Sequence, residues 1–244
     1  MNVVAVQGLR GGTGASSVVA GLAEALSQAG EAVLCIDMDP RNLLRLHFNH
    51  AWEDTRGWAR ARQEGDAWHE PAFVLGSQLH FLPHGLLDAT DHQQCDSRDD
   101  DPGIWQQRLA ALEADAYRWV LIDVPAHAHD TQRQARRAAD TWLVVAQADP
   151  ACHALLEAHT VSVGEYLLIN RLAARSALQG DLHALWQRQH GDWLVPLSIH
   201  RDEAMFEALA HKRGVVSHRP NSLASQDIHR LAAWLLAQHE ASPS

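Results

Sequence analysis

Two patterns alternate from the first residues onward. Val3-Val4-Ala5-Val6-Gln7 is a short β-branched run, broken by the glycine-rich stretch from Gly8 to Gly14, after which Val18, Val19, Leu22 and Leu26 recur at helical spacing. The pattern predicts strand, loop and helix, with Gly30 as the helix stop. A second buried strand, Ala32-Val33-Leu34-Cys35-Ile36, ends in Asp37-Met38-Asp39-Pro40. Further apolar runs lie at Leu79 to Leu82, Trp119 to Ile122, Trp142 to Ala146 and Tyr166 to Ile169, with helical patterns between them. Alternating strands and helices predict an α/β fold of three layers, a mostly parallel sheet flanked by helices on both faces. Sites in such a fold gather at the carboxyl ends of the strands.

Leu223 to His239 forms a last amphipathic helix with Ile228, Leu231, Trp234 and Leu235 on one side. Its polar face is not enriched in basic residues, so docking on the core is favoured over a membrane anchor. The acidic, irregular stretch from Asp88 to Asp101 reads as a surface excursion rather than a linker. Trp52, Trp58 and Trp68 lie where strand and helix signals are weak, and serve either as core filler or as an exposed partner surface.

At 244 residues and 46% hydrophobic content the chain suits one domain, residues 1–244. Cys35, Cys95 and Cys152 make no disulfide framework, and no stretch approaches the roughly 18 apolar residues that span a bilayer. These features predict a cytoplasmic protein. Net charge is −10 and the acidic excess falls before residue 171, which disfavours sequence-independent nucleic-acid binding. Lysine occurs once, at Lys212, so basic chemistry here falls almost entirely to arginine.

Leu9-Arg10-Gly11-Gly12-Thr13-Gly14-Ala15-Ser16-Ser17 directly follows the first strand and opens the first helix. Backbone amides of such a loop converge on phosphate oxygens, and the helix N-terminus adds partial positive charge. Asp123 ends an apolar strand, which suits either a metal-holding carboxylate or a helix cap. Asp37 and Asp39 precede a proline, where a plain turn competes with a functional reading. His127-Ala128-His129-Asp130 lacks a cysteine or glutamate at zinc-type spacing, which weighs against a metal site there.

Together these motifs resemble the deviant Walker A P-loop family that includes the MinD and ParA proteins. The resemblance implies ATP and Mg²⁺ as cofactors, with the amides of Gly11, Gly12, Thr13, Gly14 and Ala15 around the phosphates and Ser17 donating to the α phosphate. It implies magnesium held by Ser16, Asp37 and Asp123, and the base read by Asn170 with Arg171 beside it. Two catalytic positions follow. Arg10 stands where the family has its signature lysine, which reaches the partner's nucleotide in a homodimer, and Asp39 matches the carboxylate that positions the attacking water.

Ala15 departs from the family, whose lysine here contacts the β and γ phosphates. Losing one charge-assisted contact costs about 1.5 to 3 kcal/mol, which the remaining amides partly offset for binding. Transition-state stabilisation has less reserve, so weak or absent turnover is expected.

Within that family, the segments from Asn42 to Asn49, Gly57 to Ala61 and Ile199 to Met205 look like the BcsQ (YhjQ) branch of cellulose-synthase operons. That resemblance implies an accessory subunit of cellulose secretion, associated with a BcsR-like small subunit and recruited to the inner-membrane cellulose synthase complex, with the cell pole as one option. The acidic charge argues against a direct nucleic-acid partner. Asp39 departs from the branch's enterobacterial members, which lack the second carboxylate, and keeps a cycling MinD/ParA-type ATPase that positions a membrane or DNA cargo as the alternative.

Overall fold

The computed structural model describes residues 1–88, 101–112 and 116–240. Residues 89–100 of the acidic stretch, with Cys95 among them, lie outside the described residues. Eight strands form one sheet: β1 (Asn2–Gly8), β2 (Val33–Asp37), β3 (Phe73–Val74), β4 (Leu79–Leu82), β5 (Trp119–Val124), β6 (Thr141–Ala146), β7 (Glu165–Leu172) and β8 (Leu194–His200). Their order is β3-β4-β2-β5-β1-β6-β7-β8, parallel throughout except at the β3–β4 edge.

The central strands are buried on both faces, and alternation sorts their side chains into two cores. Val4, Val6, Cys35, Leu121 and Val145 point into one, beneath α1 (Ala15–Gln28) and the terminal helix Leu223–Glu240. Val3, Ala5, Ile36, Ile122 and Val144 point into the other, with Trp105 and Trp186 from helices Ile104–Ala110 and Ala177–His190. Helices on both faces of a parallel sheet are the three layers that the apolar runs predict.

The terminal helix docks on the core, burying Ile228, Leu231 and Leu235. Gly21 of α1 lets it come close: a Cβ there would stand 3.3 Å from Ile228. Trp234 meets Tyr166 edge-on at 5.0 Å.

The tryptophans divide. Trp58 is buried, opens helix α2 (Trp58–Glu64) and stands 5.0 Å from Trp105; Trp68 packs on the same ring at 5.4 Å. Trp52 is half exposed. The weak signal at Trp58 therefore hides a short helix whose apolar stripe is too brief to show a period. The sequence pattern also passes over β8, because Pro196 interrupts its run; at a sheet edge a missing N–H is tolerated.

β1 sits at the point where the topology reverses. The chain leaves it through α1 for β2 on one side, while β5 and β6 flank it on both. Loops therefore diverge above its carboxyl end, and this divergence opens a crevice there.

Candidate functional site

The loop after β1 turns through two left-handed glycines, Gly12 at φ +83° and Gly14 at φ +94°, conformations that side-chain-bearing residues rarely adopt. Gly14 is tight as well: a Cβ on it would lie 2.6 Å from Asn170 Nδ2. Gly14 is also the N-cap of α1, and no side chain caps that terminus, nor is there an acidic residue in its first turn. The amides that a helix leaves unbonded at its start therefore open into the crevice with their partial positive charge.

That crevice is a cavity of about 270 Å³ lined by Arg10 to Ser17, Asp39, Arg41, His47, Asp123 and Arg171. Four strand ends supply its walls. The fold thus brings most of the residues read from sequence to one place, and two of them take positions behind the lining.

Asn170, near the end of β7, is buried and donates through Nδ2 to Thr13 O at 2.7 Å, while its Oδ1 accepts from Arg171 N at 2.9 Å. Its amide braces the loop from outside. Asp37 is fully buried, and its two oxygens accept from Asp39 N at 2.9 Å and Leu44 N at 3.2 Å. It stands beside Asp123 in the β2–β5 register.

Both carboxyls are pushed up by burial. Asp123 rises to about 7, opposed by the Ser16 hydroxyl that bonds it, and Asp37 is pushed well above the usual carboxylate range by burial and the neighbouring Asp123 charge. Adjacent buried carboxylates are an unfavourable arrangement in a fold that needs them only for packing. With Ser16 alongside, they fit a hard divalent cation that takes oxygen ligands and completes its shell with phosphate and water. Asp39 turns the chain, its carbonyl accepting from Asn42 N at 2.8 Å, and it also lines the cavity.

Four side chains here escape sequence reasoning. Arg10 Nη2 donates to Asp149 Oδ2 at 2.5 Å, and Asp149 also caps helix Pro150–Glu157 by accepting from Cys152 N. Gln147 Nε2 donates to Gly12 O at 3.1 Å. His47 is buried, within 3.4 Å of Ser17 Oγ, and burial lowers it to about 4, so it is neutral near pH 7. Arg41 clasps Asp39 with Nε at 3.0 Å and Nη2 at 2.5 Å. The Asp149-Pro150 pair carries a helix-start signal, but nothing local predicts the other contacts.

The sequence model of the family described as cellulose biosynthesis protein BcsQ matches residues 1–236. The chain is 38% identical over 242 residues to the cellulose biosynthesis protein BcsQ of Salmonella typhimurium, covering 99% of this chain and 96% of that protein. It is 36% identical to the BcsQ of Escherichia coli K12, covering 98% and 96%. The chain belongs to the BcsQ family. Among solved structures this BcsQ-family chain is similar to the septum site-determining protein MinD of Pyrococcus horikoshii complexed with Mg-ADP, at TM-score 0.77 and 22% identity, covering 99% of both chains. A plasmid partition protein of Borrelia burgdorferi bound to AMPPNP gives TM-score 0.78 at 16% identity, covering 97% and 99%. These likenesses establish the MinD/ParA-type P-loop fold for the BcsQ-family chain. Among the described residues no helix is long and apolar enough to cross a membrane.

Proposed function

We propose that this chain is an accessory protein of bacterial cellulose synthesis and secretion that binds ATP and Mg²⁺ between two copies of itself. The observation that carries this reading is the uncapped N-terminus of α1, set at the carboxyl end of the central strand with the Ser16–Asp123 pair beside it. Amides from Gly11 to Ser17 take the phosphates, and Ser17 reaches the α phosphate. Ser16 and Asp123 hold magnesium with Asp37 behind, Arg171 lines the base side, and Asn170, behind the lining, reads the base when its amide turns from Thr13 O. A bound magnesium supplies charge neutralisation between the terminal phosphates. The dimer helps assemble or localise the inner-membrane synthase complex with a BcsR-like small subunit, from a cytoplasmic position and without contacting nucleic acid. Whether it gathers at the pole is a matter for the synthase it follows.

Ala15 favours an adaptor whose nucleotide glues two protomers. Its side chain packs toward the α1 core and brings no charge to the cavity. A cycling ATPase of the MinD/ParA type is the second reading, favoured by Asp39, which lines the cavity beside Asp123. Native mass and nucleotide content of the purified protein separate them. A dimer retaining intact ATP is expected; a monomer holding ADP would replace the adaptor with the cycling enzyme.

Asn170→Ala tests the bracing amide together with base reading. It leaves the buried Thr13 carbonyl unpaired, a cost of about 1 to 3 kcal/mol, so the unfolding midpoint should drop by several degrees. Calorimetry should also show less preference for ATP over GTP. Full retention of that preference would leave Asn170 only its bracing part.

A further inference from the structure

The cavity's positive charge comes from arginine alone. Arg10, Arg41 and Arg171 line it, while Lys212, the chain's sole lysine, lines a different groove beside His211 and Arg213. Two of the three are occupied away from the metal-facing end: Arg10 is tied to Asp149, and Arg171 donates to Gly12 O at 3.1 Å with its guanidinium over the Phe206 ring at 4.7 Å. Arg41 stands on the other side, next to Asp39 and within the field of Asp123 and Asp37.

The Arg41 side chain is 66% exposed while the Asp39 side chain is 11% exposed, so the arginine can swing and the carboxylate cannot follow. The turn that carries it also holds unsatisfied polar groups. Asn42, the next residue, has φ +56°, and its fully buried amide leaves both Oδ1 and Nδ2 without a hydrogen bond. A shift of this turn can therefore satisfy groups that are unsatisfied as it stands.

We propose that Arg41 is the chain's own phosphate cation: without nucleotide it is held on Asp39, and it transfers to the terminal phosphate of bound ATP, standing in for the loop lysine absent at position 15. The inference rests on the nucleotide reading above and names the group that completes it. The driving terms are electrostatic. A cation at Ser16 and Asp123 weakens the carboxylate field that holds the guanidinium, and a terminal phosphate offers three oxygens to a planar fork that suits them. The transfer has a second effect. Both Asp39 oxygens accept from the Arg41 guanidinium in the arrangement seen here, so a water at Asp39 competes with Arg41 until it leaves. Arg41 is a binding group for the phosphate and a positioning residue for Asp39.

Calorimetry on the full chain with Mg²⁺ and either ATP or ADP tests this. Arg41→Ala should weaken ATP on the order of ten- to a hundredfold and ADP by less than about threefold. Arg41→Lys should recover much of the ATP affinity. Asp39→Asn should leave ATP affinity level or raised, because it removes the competing partner; a merely structural pair would instead give the same loss from either side. Equal losses for ATP and ADP in Arg41→Ala, an unchanged ATP affinity, or an Asp39→Asn loss matching that of Arg41→Ala would each overturn the proposal. A wild-type chain that takes up neither nucleotide would bring down the nucleotide reading itself, a result separate from any contrast among variants. Unfolding midpoints without nucleotide should match across the arginine variants, since Arg41 contacts no core residue through its exposed end.

Discussion

Arg10→Ala is expected to abolish the ATP-dependent rise in mass from monomer to dimer in light scattering. Arg10 is the only basic residue of the loop and lines the cavity, and the proposed dimer sets it toward a second copy. In the single protomer its guanidinium is folded back onto Asp149 at 2.5 Å and onto Gly11 O at 3.0 Å, with the side chain 31% exposed. It is only partly covered there. Its own chain therefore offers a resting place, while a phosphate across a closed interface offers a desolvated, charge-assisted partner. Truncating one member of such a buried pair costs roughly 2 to 5 kcal/mol, a weakening of dimerisation on the order of thirtyfold to several thousandfold. Arg10→Lys should restore part of it, since charge is kept and the two-pronged geometry is lost. A dimer fraction with ATP that is the same in Arg10→Ala and wild type would remove the role across the interface and leave Arg10 a cavity residue paired with Asp149.

The same arginine shows how far sequence carries and where it stops. Gly12 and Gly14 announce the loop because only glycine takes their backbone angles cheaply, and the strands announce themselves because burial on both faces demands unbroken apolar runs. Those constraints act on single positions or short windows. The pairing of Arg10 with Asp149 spans 139 residues, and Gln147 reaches Gly12 across 135, so neither leaves a local trace. Arg41 lies two residues from Asp39 and was still invisible, because Asp-Pro-Arg looks like any polar turn until the cavity is seen to face it. Asn170 shows a different shortfall. Its place near the end of an apolar run suggests a base-facing amide, but the closeness of β7 to the loop, which gives that amide its bond to Thr13, is a property of the sheet order.

Placement of charge follows a common logic around this cavity. Carboxylates that the fold buries, Asp37 and Asp123, have their oxygens held by backbone N–H groups or a hydroxyl and have no arginine bonded to them. Carboxylates nearer the surface, Asp39 and Asp149, each hold an arginine. Each outer pair carries an arginine that is at least partly exposed, whereas the inner pair is short of positive charge and suits a cation. A protein meant only to pack β2 against β5 gains nothing from the inner arrangement.

That asymmetry sets the second large effect, at Asp123. Asp123→Asn keeps the shape and a hydrogen bond to Ser16 while removing one of two carboxyls that lie side by side in the β2–β5 register, 3% and 0% exposed, and that burial pushes up. A carboxyl raised by burial costs stability near pH 7, whether it stays ionised or takes up a proton, so the nucleotide-free protein should become more stable, by about 1 to 3 kcal/mol, seen as an unfolding midpoint raised by several degrees. The ligand response should move the other way. With Mg²⁺ and ATP at a hundred times the dissociation constant the wild type should gain about 2.7 kcal/mol, and the variant should lose most of that gain because the carboxylate that holds the metal is gone. A more stable apoprotein that has lost its response to nucleotide is the pattern of a site whose cost is borne for binding. If Asp123→Asn instead lowers the midpoint of the free protein and leaves the shift with Mg²⁺ and ATP intact, the carboxylate is a packing element of β5, and magnesium must be held elsewhere.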